Sequence, residues 1–391
     1  MKKLRKSMVF ISTITAALCL SIFPVQMNAQ GTIFTTESEW TLGVSGVLPV
    51  FLVASGHKGY SSDGNDQFAT RVMSGFNPAG ITFTVTAPVS GGLTVTGVFQ
   101  INHHLQGAGI QNDGLFEGRV AEMQVSGSFG TVSIGKGFGI FNSISIGDAG
   151  SGMGVGRFGG PESANATLGR IGSGYTYANF NPRVMYTSPD LGGLTLKAGL
   201  FNPEKPGGLT DRSTGMETAM PRLEAQADYL IGFDAGTVRI WVGGLYQNVD
   251  VISFDYDYTM SGFDSGLRLI ASGFTLTGAY SQTTGIGADG LIGLNLNGSG
   301  LDQAEVEATQ WYGEITYDFG SILIGTSYGE GSQNAAVTPV GSSPDITNKL
   351  LMAFARYRIT GNLTLLGEFQ TFRSEAQANY AAVIAGMQFG F

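Results

Sequence analysis

The sequence predicts an all-β fold, a transmembrane up-and-down antiparallel β-barrel of about sixteen strands. Three observations predict it. Apolar and polar residues alternate along many short segments, short and long connections alternate between these segments, and the chain ends on an aromatic residue, Phe391. Since successive side chains of a strand point to opposite faces, alternation gives each strand one apolar and one polar face.

The alternating segments have the length and pattern of half-buried strands. In 81–88, for example, Ile81, Phe83 and Val85 stand between threonines. Helical periodicity of comparable strength is absent. The pattern predicts strands at 40–54, 69–88, 93–104, 117–128, 131–140, 183–189, 194–202, 221–231, 237–250, 259–271, 274–283, 305–318, 322–330, 348–359, 363–373 and 381–391. The second strand is interrupted at 77–80, so that 67–77 is either a bulged extension or a separate piece.

The connections between these segments are alternately short and long. The short ones are rich in Gly, Asp and Asn, as tight turns are. The long ones are 55–68, 105–116, 141–182, 203–220, 251–258, 284–304, 331–347 and 374–380. A β-sandwich would show the same alternation of residues. The number of strands and the alternation of connection lengths favour a barrel with both termini on the short-turn side.

The N-terminus has the pattern of a secretory signal peptide, residues 1–29. Four basic residues lie between Lys2 and Lys6, a mostly apolar stretch follows, and small residues end it at Ala29. The mature chain is then predicted to be a single domain, 30–391. No apolar run after the signal reaches the length of a membrane helix.

Charge and cysteine content exclude several functions. The whole chain has a net charge of −9. Removal of the signal leaves 17 basic against 30 acidic residues, a net charge of −13, which disfavours binding to nucleic acid. Cys19 is the only cysteine and lies in the signal, so the mature chain has no thiol chemistry. The three histidines lack the spacing of a metal site. No cofactor, metal or catalytic residue is predicted.

Several motifs resemble those of the Gram-negative general porins. Gly118-Arg119, followed by the strand–turn–strand 124–136, resembles the region before their constriction loop, although the family has Arg in place of Lys136. Residues 184–194 resemble the strand and turn after that loop, and Phe391 resembles their terminal aromatic residue.

This resemblance implies an outer-membrane channel in contact with lipid, with both termini in the periplasm, that passes small hydrophilic solutes and ions by passive diffusion. It also implies a homotrimer without enzymatic activity, and a third extracellular loop, 141–182, that folds into the lumen and narrows it. A substrate-specific channel for sugars or anions with the same architecture is the main alternative. A barrel enzyme and an adhesin or purely structural barrel are further alternatives.

The resemblance also suggests which charges form the constriction. The loop supplies Asp148, Arg157, Glu162 and Arg170, and the nearest wall bases are Arg71, Arg119 and Lys136. An ordinary ion-pairing role is the alternative for each of them. The alternation of faces along the strands places six further bases and seven acids on the inner face, close to balance, which predicts weak ion selectivity. The net charge of −13 predicts that this weak selectivity leans towards cations. These are Lys197, Arg222, Arg239, Arg268, Arg356 and Arg358, with Glu122, Glu224, Asp228, Asp264, Glu314, Asp318 and Glu368.

Overall fold

The structure of the protein is a computed structural model. The structure describes residues 31–35, 39–61, 63–103, 105, 117–158, 166–203, 216–217, 220–288, 304–376 and 379–391. The predicted signal peptide, 1–29, lies outside these residues.

Within the described residues nearly all regular structure is β-strand. One four-residue helix, α1 (Ala149–Gly152), and one 3-10 turn (Ile252–Phe254) are the exceptions. The strands are β1 (Gly31–Thr35), β2 (Thr41–His57), β3 (Gln67–Met73), β4 (Ala79–Thr86), β5 (Thr94–His103), β6 (Glu117–Gly127), β7 (Gly130–Phe138), β8 (Phe180–Thr187), β9 (Leu194–Phe201), β10 (Met216–Glu217), β11 (Arg222–Phe233), β12 (Gly236–Val251), β13 (Tyr256–Ala271), β14 (Phe274–Thr284), β15 (Glu307–Asp318), β16 (Ile322–Gln333), β17 (Ala336–Thr338), β18 (Gly341–Ser343), β19 (Ile346–Arg358), β20 (Leu363–Ser374) and β21 (Tyr380–Gly390).

The strands close into a ring of sixteen antiparallel wall positions, which confirms the predicted barrel. Each wall strand pairs with its neighbour in sequence, and β21 pairs with β2 to close the ring. At the junction Gly46 and Phe391 exchange backbone hydrogen bonds of 2.7 and 3.0 Å. A closed ring leaves no wall edge unpaired, as a strand structure in lipid requires.

The interrupted second strand is one wall position in two pieces. Both β3 and β4 pair with β2, β3 along 51–57 and β4 along 41–47. The interruption between them is buried, and the Phe76 amide donates to the Gly154 carbonyl at 2.9 Å. The segment 67–77 is therefore not a seventeenth wall strand.

Two connections differ from prediction. The connection 251–258 is not long, because β12 and β13 extend to leave only the 3-10 turn and Asp255, which has a left-handed backbone with φ 49°. The connection 331–347 is partly regular, because β17 and β18 form a hairpin within it. Short polar strands of this kind have too little apolar pattern to be predicted.

The outer face of the wall is apolar. Leu52, Phe83, Phe99 and Val184 are exposed there, and their neighbours in sequence point inwards. Near the short turns the outer aromatic rings contact one another, and the Tyr317 ring lies 4.5 Å from the rings of both Phe274 and Phe319. This is the arrangement of an interfacial aromatic girdle. No helix in the described part of the chain is long and apolar enough to cross a membrane.

Candidate functional site

A long segment between β7 and β8 is packed against the inner face of the wall. We call the described residues 139–158 and 166–179 the docked segment. Most of its residues are buried, and its contacts reach strands that lie far apart around the ring, from β11 to β21. The Phe158 amide, for example, donates to the Tyr380 hydroxyl at 3.1 Å, and the two rings stack at 4.3 Å.

Carboxylates of the wall accept hydrogen bonds from the backbone of the docked segment. Each lies on the inner face of a different wall strand and is almost fully buried. A carboxylate that accepts backbone N–H groups satisfies donors that a buried loop would otherwise leave without partners. The bonds run from Ile140 N and Phe141 N to Glu224 Oε2 (2.6 and 2.9 Å), from Ala149 N and Gly150 N to the Glu314 carboxylate (2.8 and 2.9 Å), and from Val155 N to Glu368 Oε2 (3.1 Å).

Wall side chains also donate to carbonyl groups of the docked segment. Arg268 donates to Gly147 O at 2.8 Å, and Arg356 donates to Gly150 O at 2.6 Å. The same Arg356 pairs with Glu368 at 3.0 Å. The wall therefore holds the segment by both its donors and its acceptors, which fixes a chain that has little regular structure of its own.

Asp148 organises the turn at the centre of the docked segment. Its carboxylate caps α1 by accepting from Ser151 N at 2.8 Å, and it accepts from the Tyr175 hydroxyl at 3.0 Å. Burial, with the charge of Asp148, raises the pKa of Tyr175 well above its ordinary value, so the hydroxyl stays protonated and donates. Arg170 Nε lies 3.6 Å from Asp148, and both side chains are fully buried.

Three of the four predicted loop charges do not face a channel. Asp148, Arg157 and Arg170 are each 0% exposed. Arg157 donates to Ile171 O at 2.9 Å and stacks over Phe372, while Arg170 donates to Leu350 O at 3.2 Å. Their assignment as channel-lining residues is thus corrected, because a charge in a packed segment is stable only when its partners lie within that packing. The fourth, Glu162, lies outside the described residues.

The three predicted wall bases have three different environments. Arg71 lies on the inner face of β3, with its guanidinium 4.8 Å from the Phe158 ring centre. Arg119 follows a bulge in β6 and pairs with Glu117 at 2.9 Å.

Lys136 is on the outer face of the barrel, which corrects its predicted role. It pairs in register with the exposed Ala121 and shares its side of β7 with the exposed Ile134. Its Nζ donates to Gly118 O at 2.8 Å. The buried cation in this part of the wall is Arg183, which pairs with Glu122 at 2.7 Å and which the sequence analysis did not identify. Its position on an alternating strand directly after the long connection was the available signal.

The charges that the alternation of faces along each strand placed inward are largely paired. Arg222, Arg356, Glu122, Glu224, Asp264, Glu314 and Glu368 are all buried on the inner face, as predicted. Arg222 pairs with Glu224 at 2.8 Å, beside the start of the docked segment. These charges hold the segment and one another, a role that alternation alone does not reveal.

No three His, Cys, Asp or Glu residues among the described residues lie close enough to hold a metal ion. Ser55 Oγ lies 2.9 Å from His57 Nε2, but both side chains are buried beneath Tyr380 and Phe158 and cannot meet a solute. The other histidine–acid candidate is a rim site of His103 or His104 with Asp113, of which His104 and Asp113 lie outside the described residues.

Comparison with known proteins gives a single consistent result. A family model described as Gram-negative porin matches residues 15–377. No curated protein sequence matches. The barrel is similar to that of the outer-membrane channel DcaP of Acinetobacter baumannii, with a TM-score of 0.63 and 14% identity over 92% of this chain and 99% of that one. An anion-selective porin from Comamonas acidovorans has a TM-score of 0.64 and 14% identity over 90% and 100% of the chains. Salmonella typhi OmpF, in complex with daunomycin, has a TM-score of 0.61 and 14% identity over 92% and 100%.

Proposed function

The chain belongs to the Gram-negative porin family, and from this premise we propose that the docked segment lies in the lumen and narrows the channel from one side. The protein is an outer-membrane channel for the passive diffusion of small hydrophilic solutes. A wide barrel needs such a narrowing to exclude larger solutes, since sixteen strands alone enclose an aqueous channel.

The observation that carries this proposal is the spacing of the wall glutamates. Glu224, Glu314 and Glu368 lie on β11, β15 and β20, and each accepts from the backbone of the docked segment. A segment bound to the inner faces of strands so far apart in a closed ring reaches across the interior. It then covers the β8–β21 side, where Ile140 packs on Met185 and Phe201, and leaves the β4–β7 side for the solute.

We propose a different set of constriction charges from the set that the sequence suggested. Asp148, Arg157 and Arg170 stabilise the segment, while Arg71 and Arg119 remain the described charges proposed to face the solute. Lys136 is not among them. Because most inner charges are paired, Arg119 with Glu117 included, we expect weak ion selectivity.

Further properties follow from membership of the family and are proposed with it. The chain is exported with residues 1–29 as its signal, assembles as a homotrimer, has both termini on the periplasmic side and catalyses no reaction. The alternative is a channel specific for one class of solute. One example of such a specific channel is an anion-selective one, as in the Comamonas porin. Anion selectivity requires more unpaired basic than acidic groups along the solute path.

The experiment is a deletion that shortens the docked segment, 143–176, with a glycine linker. Liposome swelling in sugars of increasing size measures the exclusion limit, and heat-modifiable mobility shows that the barrel is folded. We expect a larger limit than in the wild type. The control deletes the β17–β18 hairpin and should leave the limit unchanged. A folded deletion variant with the wild-type limit would overturn the proposal.

A further inference from the structure

Uncharged polar side chains form two rows on the inner face of β4–β8. Thr86 pairs in register with Thr96, Thr96 with Gln124, and Gln124 with Ser133, so that four polar residues form one row across four strands. The hydroxyls of Thr86 and Thr96 are 3.2 Å apart. A second row follows towards the short turns, from Thr94 through Ser126 and Thr131 to Thr187.

Part of this surface is more accessible than polar residues of the wall opposite it. Ser133 at the end of the first row and Thr82 on β4 are buried, at 1% and 7% exposed. The half-buried residues include Thr84, Thr86, Thr96, Gln100, Gln124 and Ser126. The corresponding polar residues of the opposite side, such as Thr277 and Gln310, are 5% and 1% exposed. The docked segment accounts for the low exposure of Gln310, because the side-chain amide of Gln310 donates to Thr176 Oγ1 in that segment at 3.2 Å.

Charged groups are sparse along the same surface. The described residues of β4, β5 and β7 place none on the inner face, since Lys136 points outwards. On β6, Glu122 is paired with Arg183 and Glu117 with Arg119. Gln124 also donates to Glu122 at 2.8 Å, which holds its amide against the wall.

We propose that solutes pass along this polar strip, defined as Thr84, Thr86, Thr96, Gln100, Gln124 and Ser126, and that the channel favours neutral, hydroxyl-rich molecules of the sugar class. The proposal rests on the proposed function and specifies its solutes. Hydroxyl and amide groups both donate and accept hydrogen bonds, so they replace the hydration of a hydroxyl-rich solute. They offer no charge to compensate the lost hydration of an ion.

The solute path along the polar strip is tested by measuring how fast single introduced cysteines react. Each cysteine is introduced into the full chain carrying Cys19→Ala, and the protein is exported to the outer membrane of an expression host. Thr96→Cys and Gln124→Cys place thiols on the strip, while Thr277→Cys and Gln310→Cys are matched thiols beneath the docked segment. A water-soluble methanethiosulfonate should modify the strip thiols at least about tenfold faster than the covered ones. It should also lower the single-channel conductance of the strip variants alone.

The solute class is tested by liposome swelling with the wild-type protein. We expect a neutral hexose to enter at least about threefold faster than its singly charged aldonate or amino analogue of similar size, because the strip compensates no charge. Gln124→Trp should slow the hexose, and Gln310→Leu, its covered control, should not.

The outcomes separate the two proposals. Fast modification of the covered thiols with slow modification of the strip thiols would overturn the proposed path. Faster entry of a charged analogue than of the hexose would overturn the solute class. In both cases the channel still conducts, and the proposed function stands. A folded protein without conductance or swelling would overturn the proposed function itself.

Discussion

Glu314 and Ala149 are 165 residues apart in the sequence, yet the Glu314 carboxylate accepts a hydrogen bond of 2.8 Å from the Ala149 amide. The second carboxylate oxygen accepts from Gly150 at 2.9 Å. The contact of Glu314 with Ala149 therefore links the middle of the docked segment to β15, which lies across the ring from β7, where the segment begins.

The substitution Glu314→Gln tests this link. A glutamine amide can accept one of the two backbone donors but presents its NH2 group to the other, so a buried donor loses its partner. We expect a loss of about 1–3 kcal/mol in unfolding free energy and frequent brief closures in single-channel records. Glu330→Gln is the control, because Glu330 is only partly buried and lies 3.6 Å from Lys349. An equal effect of both substitutions would contradict a specific anchoring role.

The buried pair of Arg356 and Glu368 is tested by a double-mutant cycle. Arg356→Met leaves the Glu368 carboxylate buried without its cation and removes the bond to Gly150 O. We expect it to cost about 3–5 kcal/mol. The double variant with Glu368→Gln should cost less than the sum of the single variants, by about 1–3 kcal/mol.

Urea unfolding followed by circular dichroism measures this cycle. The control is Arg358→Met, because the Arg358–Asp318 pair is 43% and 39% exposed on its side chains, and should change stability by less than about 1 kcal/mol. Additive effects at Arg356 and Glu368 would show that the pair does not act as a unit.

Gly156 is required by the packing of the docked segment. Its φ is +62°, and a Cβ there would lie 2.6 Å from Gly169 Cα. Gly156→Ala therefore combines backbone strain with a collision against backbone atoms, and we expect a loss of at least about 1–3 kcal/mol. Gly192→Ala has a similar φ of +75° but open space around the added methyl group, and it measures the strain alone. Comparable losses in the two variants would mean that the close approach is unimportant.

Lys136 should contribute nothing to ion selectivity, because it points away from the lumen. We expect Lys136→Met to leave the reversal potential across a salt gradient unchanged. Arg71→Met removes an inner-face cation and should shift the reversal potential towards cations. A shift with Lys136→Met as large as that with Arg71→Met would place this lysine in the channel.

The sequence predicted the wall well because each wall strand carries its own signal. Alternation and turn residues are local, so all sixteen wall positions were found, with the long connection after β7 between the expected strands. The alternation of faces along each strand also predicted correctly that four charged residues lie on the inner face: Arg222, Glu224, Arg356 and Glu368. The hairpin of β17 and β18 was missed because its strands are too short to show a period.

The docking contacts were not predictable, because they join a backbone amide to a carboxylate far away in the sequence. Nothing in the residues around Asp148 or Arg170 distinguishes a charge that is packed from one that lines a channel. Lys136 was misplaced because the resemblance suggested an inward base near a strand end. The register with Ala121 decides its face, and register depends on the partner strand.

The first measurement to make is planar-bilayer conductance across a salt gradient, with the protein expressed from its full-length gene and purified. It tests whether the barrel is an open, weakly charged channel. We expect stepwise openings of a water-filled pore, grouped in threes for a trimer, with a small reversal potential on the cation side. No conductance from protein shown by circular dichroism to be folded would contradict the channel. A strongly anion-selective current would contradict the weakly charged path.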